Sequence, residues 1–122
     1  MENRLKPKVL VVDDERVIAD TLAIILNQHG FDAQAVYTGT GAVEQAQAVR
    51  PDLIISDVIM PDMNGIEAAI RIRKFLPECK ILLFSGQAAT ADLLESARAQ
   101  GHEFEILAKP VHPQDLLAKL RG

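Results

Sequence analysis

An acid stands between an apolar run and a turn in the segment 53-LIISDVIMPDMNG-65. The residues before Asp57 show no polar alternation, which is typical of a strand covered on both faces of a parallel sheet. Pro61 and the Asn64-Gly65 pair predict that this strand ends in a loop. Because ligands of open parallel sheets bind outside the carboxyl ends of the strands, Asp57 occupies a position suited to chemistry. An Asp that merely starts a turn is the alternative reading of this segment.

Three further apolar runs also end in polar residues. The runs and the residues that follow them are Val9–Val12 with Asp13, Asp14 and Glu15, Ile81–Phe84 with Ser85 and Gly86, and Phe104–Ala108 with Lys109 and Pro110. If these strands are parallel neighbours, carboxylates, a hydroxyl and an ammonium group converge on one edge of the sheet. Such groups bind and transfer phosphoryl groups, and their convergence favours a chemical role for Asp57.

The composition limits the classes of protein that fit. A chain of 122 residues, 48% hydrophobic and 25% charged, is expected to form one domain with a buried core. The formal net charge of -4 and the lack of a Lys/Arg cluster argue against direct nucleic-acid binding. The single cysteine, Cys79, cannot form an internal disulfide. No apolar run has the length of a signal peptide or a membrane span, so we expect a cytoplasmic chain without membrane contact.

Apolar residues recur at helical spacing between the predicted strands. The first helix is expected to stop at Gly30, and the second to run from Ala42 until Pro51. A short strand at Asp32–Val36 and a turn-rich segment at Tyr37–Gly41 separate these two helices.

Three more helices complete the pattern. The third begins where Asn64 and Glu67 have the spacing of an N-cap and its reciprocal acid, and it ends at Pro77. The fourth stops at Gly101, and the fifth opens at His112-Pro113. Strand and helix thus alternate five times, which predicts an α/β fold with a parallel sheet and helices on both faces. Residues 1–7 are predicted to be a flexible N-terminal segment, followed by one domain over residues 8–122.

Between Lys8 and Leu120 the chain resembles the response-regulator receiver domains of the CheY type. The motifs that carry this resemblance are, in order, Asp13-Asp14, Asp57 with Met60-Pro61 and Gly65, Ser85-Gly86, and Lys109-Pro110. The resemblance implies a (βα)5 doubly wound, five-stranded parallel sheet of the flavodoxin/CheY-like kind, with strand order 2-1-3-4-5. In that order the first and third strands are neighbours, so Asp13, Asp14 and Asp57 share one crevice.

A divalent cation is expected in this crevice. Three crowded carboxylates repel one another, and a hard cation relieves the repulsion. The resemblance implies that Mg²⁺ (or Mn²⁺) binds Asp14, Asp57 and the backbone carbonyl of Ile59, with Asp13 acting directly or through water. Acids before the first helix also favour its N-terminus, and this structural role is compatible with a metal site.

The resemblance further implies that Asp57 is the phosphoacceptor. Lys109 would neutralise charge on the transferred group, Ser85 would donate a hydrogen bond to it, and Gly86 would leave room for it. Family members usually have a cis peptide at the bond that corresponds to Lys109-Pro110, which aims the lysine into the crevice. The chain is therefore expected to be a signalling domain and not an enzyme, with at most a weak Mg²⁺-dependent autophosphatase activity.

The expected output is a change in partner binding. In the family, the fourth helix, the last strand and the last helix form the surface that changes. An aromatic residue three positions before the lysine moves between exposed and buried states as part of that change. Ile106 occupies that position here, so the usual aromatic switch is in doubt. The expected partners are a sensor histidine kinase or a histidine phosphotransfer protein, and a downstream target protein of unknown identity. The domain would be a monomer or a weak dimer through the same surface.

Two other functions fit part of the pattern. A hydrolase with an aspartyl-phosphate intermediate would carry a second acid two residues after its nucleophile, where Ile59 stands here. A phosphorylation-independent interaction module would normally lack one of the acids or the lysine, and this chain retains them. The sequence leaves open whether the domain acts alone or is part of a longer protein.

Overall fold

The computed structural model describes residues 6–86, 90–109 and 112–121, with five strands and five helices in alternation. The strands are β1 (Lys8–Val12), β2 (Asp32–Val36), β3 (Leu53–Asp57), β4 (Lys80–Ser85) and β5 (Glu105–Ala108). The helices are α1 (Arg16–Asn27), α2 (Gly39–Val49), α3 (Gly65–Phe75), α4 (Thr90–Ala99) and α5 (Pro113–Arg121).

All five strands are parallel and form one sheet in the order β2-β1-β3-β4-β5. This confirms the predicted doubly wound fold and its strand order. The order reverses direction between β1 and β3, which is the switch point where ligands of such sheets bind.

Side chains that alternate along the strands fill two apolar layers. In β1, Leu10 and Val12 belong to the layer under α2, α3 and α4, whereas Val9 and Val11 belong to the layer under α1 and α5. The sheet is therefore buried on both faces, which explains the unbroken apolar runs in the sequence.

The start of α2 differs from the prediction. The helix begins at Gly39, not at Ala42, because side chains satisfy the amides of its first turn. The Thr38 hydroxyl accepts a bond from the Gly41 amide at 2.9 Å, and Asp62 accepts bonds from two more. Glycines in a helical first turn are tolerated when such caps are present.

The start of α3 agrees with the prediction in its first half. Asn64 Oδ1 accepts a hydrogen bond from the Glu67 amide at 2.8 Å, as an N-cap does. The Glu67 carboxylate instead accepts a bond from Arg71 at 3.0 Å, so the reciprocal half of the expected capping pair is replaced by an ion pair along the helix.

Some predicted features lie outside the described residues. These are Pro110 with the peptide bond before it, the loop at residues 87–89, and residues 1–5 of the predicted N-terminal segment. The carbonyl of Pro7 accepts a hydrogen bond from the Asp32 amide at 2.9 Å. Among the helices described here, none is both long enough and apolar enough to cross a lipid bilayer.

Candidate functional site

The carboxyl ends of four strands bring the predicted site residues together. Val12 lies opposite Ser56, which places the acids that follow β1 beside Asp57, and Asp57 itself lies opposite Phe84. Ser85 ends β4 opposite Ala108, the residue before Lys109. The register of the sheet therefore assembles the polar residues that the sequence separates by up to about a hundred positions.

The three acids form one cluster. Ligand oxygens of Asp13, Asp14 and Asp57 all lie within 4.8 Å of one another. Asp13 is completely buried and Asp57 is 7% exposed, whereas Asp14 faces solvent. Two buried carboxylates beside a third are costly, because burial and like charge both disfavour ionisation.

The unfavourable burial of a carboxylate is clearest at Asp13. Its Oδ1 accepts a hydrogen bond from the Glu15 amide at 2.9 Å, while its buried Oδ2 has no hydrogen-bond partner among the described residues. Burial raises the pKa of Asp13 above its usual value, the Glu15 amide opposes that rise, and the Asp57 charge adds to it. A buried oxygen without a donor is unusual and calls for a ligand or another functional reason.

Lys109 supplies the positive charge of the site. Its Nζ lies 3.1 Å from Asp57 Oδ1, and its backbone amide donates to the Ser85 carbonyl at 3.0 Å. A Cβ on Gly86 would lie 3.2 Å from Lys109 Cβ. The space left by this glycine is therefore filled by the stem of the lysine, so Gly86 helps to seat Lys109. Room for a phosphoryl group beside Gly86 stays a prediction.

The backbone of Asp57 is fixed from behind. The Ser56 hydroxyl donates to the Asp57 carbonyl at 2.9 Å, and the Gly65 amide donates to the Val58 carbonyl at 2.7 Å. A side chain on Gly65 would collide with the carbonyl oxygen of Asp57. These contacts explain why glycine follows Asn64, a position that the sequence marked as a turn and as part of the family motif.

A cavity of about 220 Å³ opens over the acids. It is lined by Asp14, Glu15, Asp57, Ile59, Ser85, Gly86 and Lys109. The cavity is thus lined by six of the residues that the sequence singled out, including Ile59, which is 43% exposed. An all-oxygen donor set fits a hard divalent cation, and so does the buried Asp13 oxygen, which has no donor among the described residues.

Ile106 lies away from this cavity. It is half-buried and packs on the apolar layer that also holds Leu93 and Leu94 of α4. Its neighbour in the strand, Glu105, points to the other side and pairs with Lys119 of α5 at 3.0 Å. Strand β5 therefore faces the apolar layer that includes residues of α4 on one side and contacts α5 on the other.

Sequence reasoning missed two residues near the site. Ser56 was read only as part of an apolar run, and Asp62 only as part of a turn. The carboxylate of Asp62 accepts the Gly39 amide at 3.1 Å and the Thr40 amide at 2.9 Å. Nothing in the order of residues signals this pairing, because it joins positions more than 20 apart.

The fold and the cluster of acids and lysine at the switch point are those of a phosphoacceptor signalling domain. Residues 9–121 match the family described as the response regulator receiver domain, and the chain belongs to that family.

Individual relatives refine the assignment. Chemotaxis protein CheY of Thermotoga maritima is 32% identical over 114 residues, 93% of this chain and 93% of that protein. DNA-binding response regulator MtrA of Mycolicibacterium paratuberculosis is 30% identical over 118 residues, 97% of this chain and 51% of that protein. This chain therefore spans about half the length of the MtrA proteins that it matches. The solved structure of CheY4 of Vibrio cholerae is similar with a TM-score of 0.83 at 31% identity, covering 95% of this chain and 97% of that chain.

Proposed function

We propose that this domain accepts a phosphoryl group on Asp57 from a histidine kinase or a histidine phosphotransfer protein and then changes its affinity for a target protein. The observation that carries the proposal is the buried Asp57 carboxylate, paired with Lys109 at 3.1 Å and clustered with Asp13 and Asp14. Family membership supports the same class of function.

The chemical step is a nucleophilic displacement at phosphorus. An oxygen of Asp57 forms a bond to phosphorus, the bond from phosphorus to the donor's imidazole nitrogen breaks, and the imidazole leaves with the electron pair. Lys109 stays beside the negative oxygens as the group transfers, and Ser85 donates to one of them after transfer. Water attack on the resulting acyl phosphate would give a slow autophosphatase activity.

Mg²⁺ is the proposed cofactor. Asp13, Asp14, Asp57 and the Ile59 carbonyl would hold it, and Mn²⁺ would substitute. The bound ion would neutralise negative charge on the phosphoryl oxygens during transfer. The buried Oδ2 of Asp13, which has no donor in the described part of the chain, supports this role, because a cation would compensate its burial.

The surface proposed to change when Asp57 is phosphorylated is formed by α4, β5 and α5. A phosphoryl group adds charge and acceptor oxygens at the end of β4, where Ser85 and Lys109 can respond to it. Ile106 contacts the layer under α4, and Glu105 contacts α5. Displacement of β5 would therefore reach both helices by packing, without rotation of an aromatic ring. The same surface would bind the target protein or a weakly associated second copy.

The partners follow from the family. A sensor histidine kinase or a histidine phosphotransfer protein would supply the phosphoryl group. The matched MtrA relatives are named as DNA-binding regulators and are about twice as long as this chain. Any DNA binding would therefore depend on residues beyond a region like this one, whose formal charge is -4.

Intact-mass spectrometry after incubation with acetyl phosphate and Mg²⁺ tests the proposal. We expect one phosphoryl adduct on the wild type. The adduct should be absent from Asp57→Asn and from samples in which a chelator has removed the metal. Its decay, followed by mass, would give the autophosphatase rate.

Two results would contradict the proposal. A wild-type domain that binds Mg²⁺ but takes no phosphoryl group from acetyl phosphate or from a histidine donor would favour a phosphorylation-independent interaction module. Rapid multiple turnover of external phosphate esters would favour a hydrolase.

A further inference from the structure

The loop between β3 and α3 is attached to a second helix. This loop, residues 58–64, carries Ile59, whose carbonyl belongs to the proposed metal site. At its base the Gly65 amide donates to the Val58 carbonyl at 2.7 Å. At its tip the carboxylate of Asp62 accepts the amides of Gly39 and Thr40, the first two residues of α2, at 3.1 and 2.9 Å.

These contacts complete the cap of α2. The amides of the first turn of a helix have no partner within the helix. Asp62 satisfies those of Gly39 and Thr40, and the Thr38 hydroxyl satisfies that of Gly41. The negative carboxylate also lies at the positive end of the helix dipole. Hydrogen bonds, chiefly from the Thr40 amide, hold the pKa of Asp62 far below its usual range, so the carboxylate is charged at neutral pH.

The loop and the helix also approach closely through their backbones. A side chain on Gly39 would collide with the Met63 carbonyl oxygen and would lie 2.9 Å from Met63 Cβ. Ile59 adds little to hold the loop, since the residue is 43% exposed. The loop is held at its base by Val58 and the buried Met60, which pack in the core, and at its tip by Asp62. Asp62 is therefore the anchor that ties the tip of the loop to α2.

We propose that Asp62 is a positioning residue for the metal site: by clamping the loop tip to the N-terminus of α2, it holds the Ile59 carbonyl where the cation binds. This inference rests on the proposed function, because it assumes that Mg²⁺ binds at the acidic cluster. Asp62 itself does not touch the transferred group. Its loss weakens metal binding and leaves the chemistry of the loaded site intact. Groups that orient metal ligands typically contribute tenfold or more to affinity.

Two substitutions at the same helix end separate positioning from helix stability. Asp62→Ala removes the clamp, whereas Thr38→Ala removes the other cap of α2 without any link to the loop. Isothermal titration with Mg²⁺ and electron paramagnetic resonance with Mn²⁺ give the affinities. Phosphoryl uptake from acetyl phosphate over a range of Mg²⁺ concentrations gives the half-saturating concentration and the plateau rate.

We expect Asp62→Ala to weaken Mg²⁺ and Mn²⁺ binding about tenfold and to raise the half-saturating Mg²⁺ concentration by the same factor, with a plateau rate near that of the wild type. Asp62→Asn keeps one acceptor oxygen, so its Mg²⁺ and Mn²⁺ affinities should fall between those of the wild type and those of Asp62→Ala. Thr38→Ala should leave metal affinity unchanged although it lowers the thermal midpoint.

The contrary outcomes are distinct. Unchanged affinity in both Asp62 variants would overturn the inference while leaving the phosphoacceptor function intact, and so would equal losses in Asp62→Ala and Thr38→Ala. A wild type that binds no Mg²⁺ would overturn the proposed metal site and this inference together.

Discussion

All five residues of β3 are buried, whereas the four residues of β5 are exposed or half-buried. Strand β3 carries Asp57 of the site, whereas β5 carries Ile106 and leads to Lys109. A strand with little buried surface moves at a lower free-energy cost than one in the core. We therefore expect the two strands to have different roles: β3 keeps Asp57 in place, and β5 moves when Asp57 is phosphorylated.

Lys109 joins the two regions, and its removal should have the largest effect. Lys109→Met keeps the stem that packs on Gly86 but removes the charge 3.1 Å from Asp57. We expect the rate of phosphoryl uptake from acetyl phosphate to fall about a hundredfold, the usual result of deleting one group that stabilises transition-state charge. Stopped reactions analysed by intact mass would measure the rate.

Lys119→Met is the matched control, because this lysine pairs with Glu105 on the far side of β5. Its uptake rate should equal that of the wild type. If Lys109→Met also reacts at the wild-type rate, Lys109 is a structural partner of Asp57 and not a catalytic group.

Asp13→Asn should move stability and metal binding in opposite directions. The amide keeps the bond from the Glu15 amide and can donate to a neighbouring carboxylate, so the cost of a buried charge disappears. In metal-free buffer we expect the free energy of unfolding in urea to rise by roughly 1 to 2 kcal/mol. Mg²⁺ affinity should fall at the same time.

The pH dependence gives a second check on Asp13. Burial raises its pKa in the folded state above the ordinary 3.8, so the folded chain binds this proton more tightly than the unfolded chain does. The contribution of Asp13 to the stability should therefore decline as the pH rises from 3.8 through its folded-state pKa, and the advantage of Asp13→Asn over the wild type should vanish below pH 3.8. A less stable variant at pH 7 would show that the charge on Asp13 is already compensated within the chain.

Asp62→Asn tests how much the cap that Asp62 provides for α2 contributes to stability. Asp62→Asn keeps one acceptor oxygen but loses the negative charge at the N-terminus of α2, which is typically worth about 0.3 to 1 kcal/mol, so we expect a loss of that size in the free energy of unfolding at pH 7. The pKa of Asp62 is lowered in the folded state, so its stabilisation is present above the ordinary value of 3.8 and is lost as the pH falls below it. Urea unfolding from pH 7 to pH 3 should show the gap between the two proteins begin to narrow below pH 3.8, because the stabilisation is lost only as the pH approaches the lower folded-state pKa. A gap that stays the same on both sides of pH 3.8 would mean that the charge of Asp62 is irrelevant.

The sequence predicts those parts of the molecule in which one local rule dominates. The runs before Asp13, Asp57 and Ser85 are apolar because both faces of the sheet are covered, and β2 has the bounds that were predicted from its flanking turns. The cluster of acids follows from the strand order, which the resemblance supplied.

The remaining features depend on contacts between distant segments. The start of α2 at Gly39 was missed because glycines are poor helix formers and two of the three capping bonds come from Asp62, which lies 23 residues beyond Gly39; only the cap from Thr38 is local. The complete burial of Asp13, whose Oδ2 lacks a donor within residues 6–86, 90–109 and 112–121, depends on how neighbouring elements cover it, and no spacing of residues encodes that. The contact between Gly86 and the stem of Lys109 also joins distant segments, so the sequence could not predict it, and room for a phosphoryl group beside Gly86 stays a prediction.

The smallest effect is expected on β5 itself. Glu105 and Lys119 pair at 3.0 Å, but their side chains are 48% and 40% exposed, so solvent screens the pair. Their contact with each other lowers the pKa of Glu105, and the stabilisation is lost as the pH falls below 4.5. We expect Glu105→Gln to cost about 0.3 kcal/mol at low salt, and less in 1 M NaCl. A cost above about 1 kcal/mol that survives high salt would show that β5 is held as firmly as β3, since an exposed pair on a loosely held strand cannot contribute so much. The proposed difference between β3 and β5 would then be wrong, and the conformational change on phosphorylation would have to pass through an element other than β5.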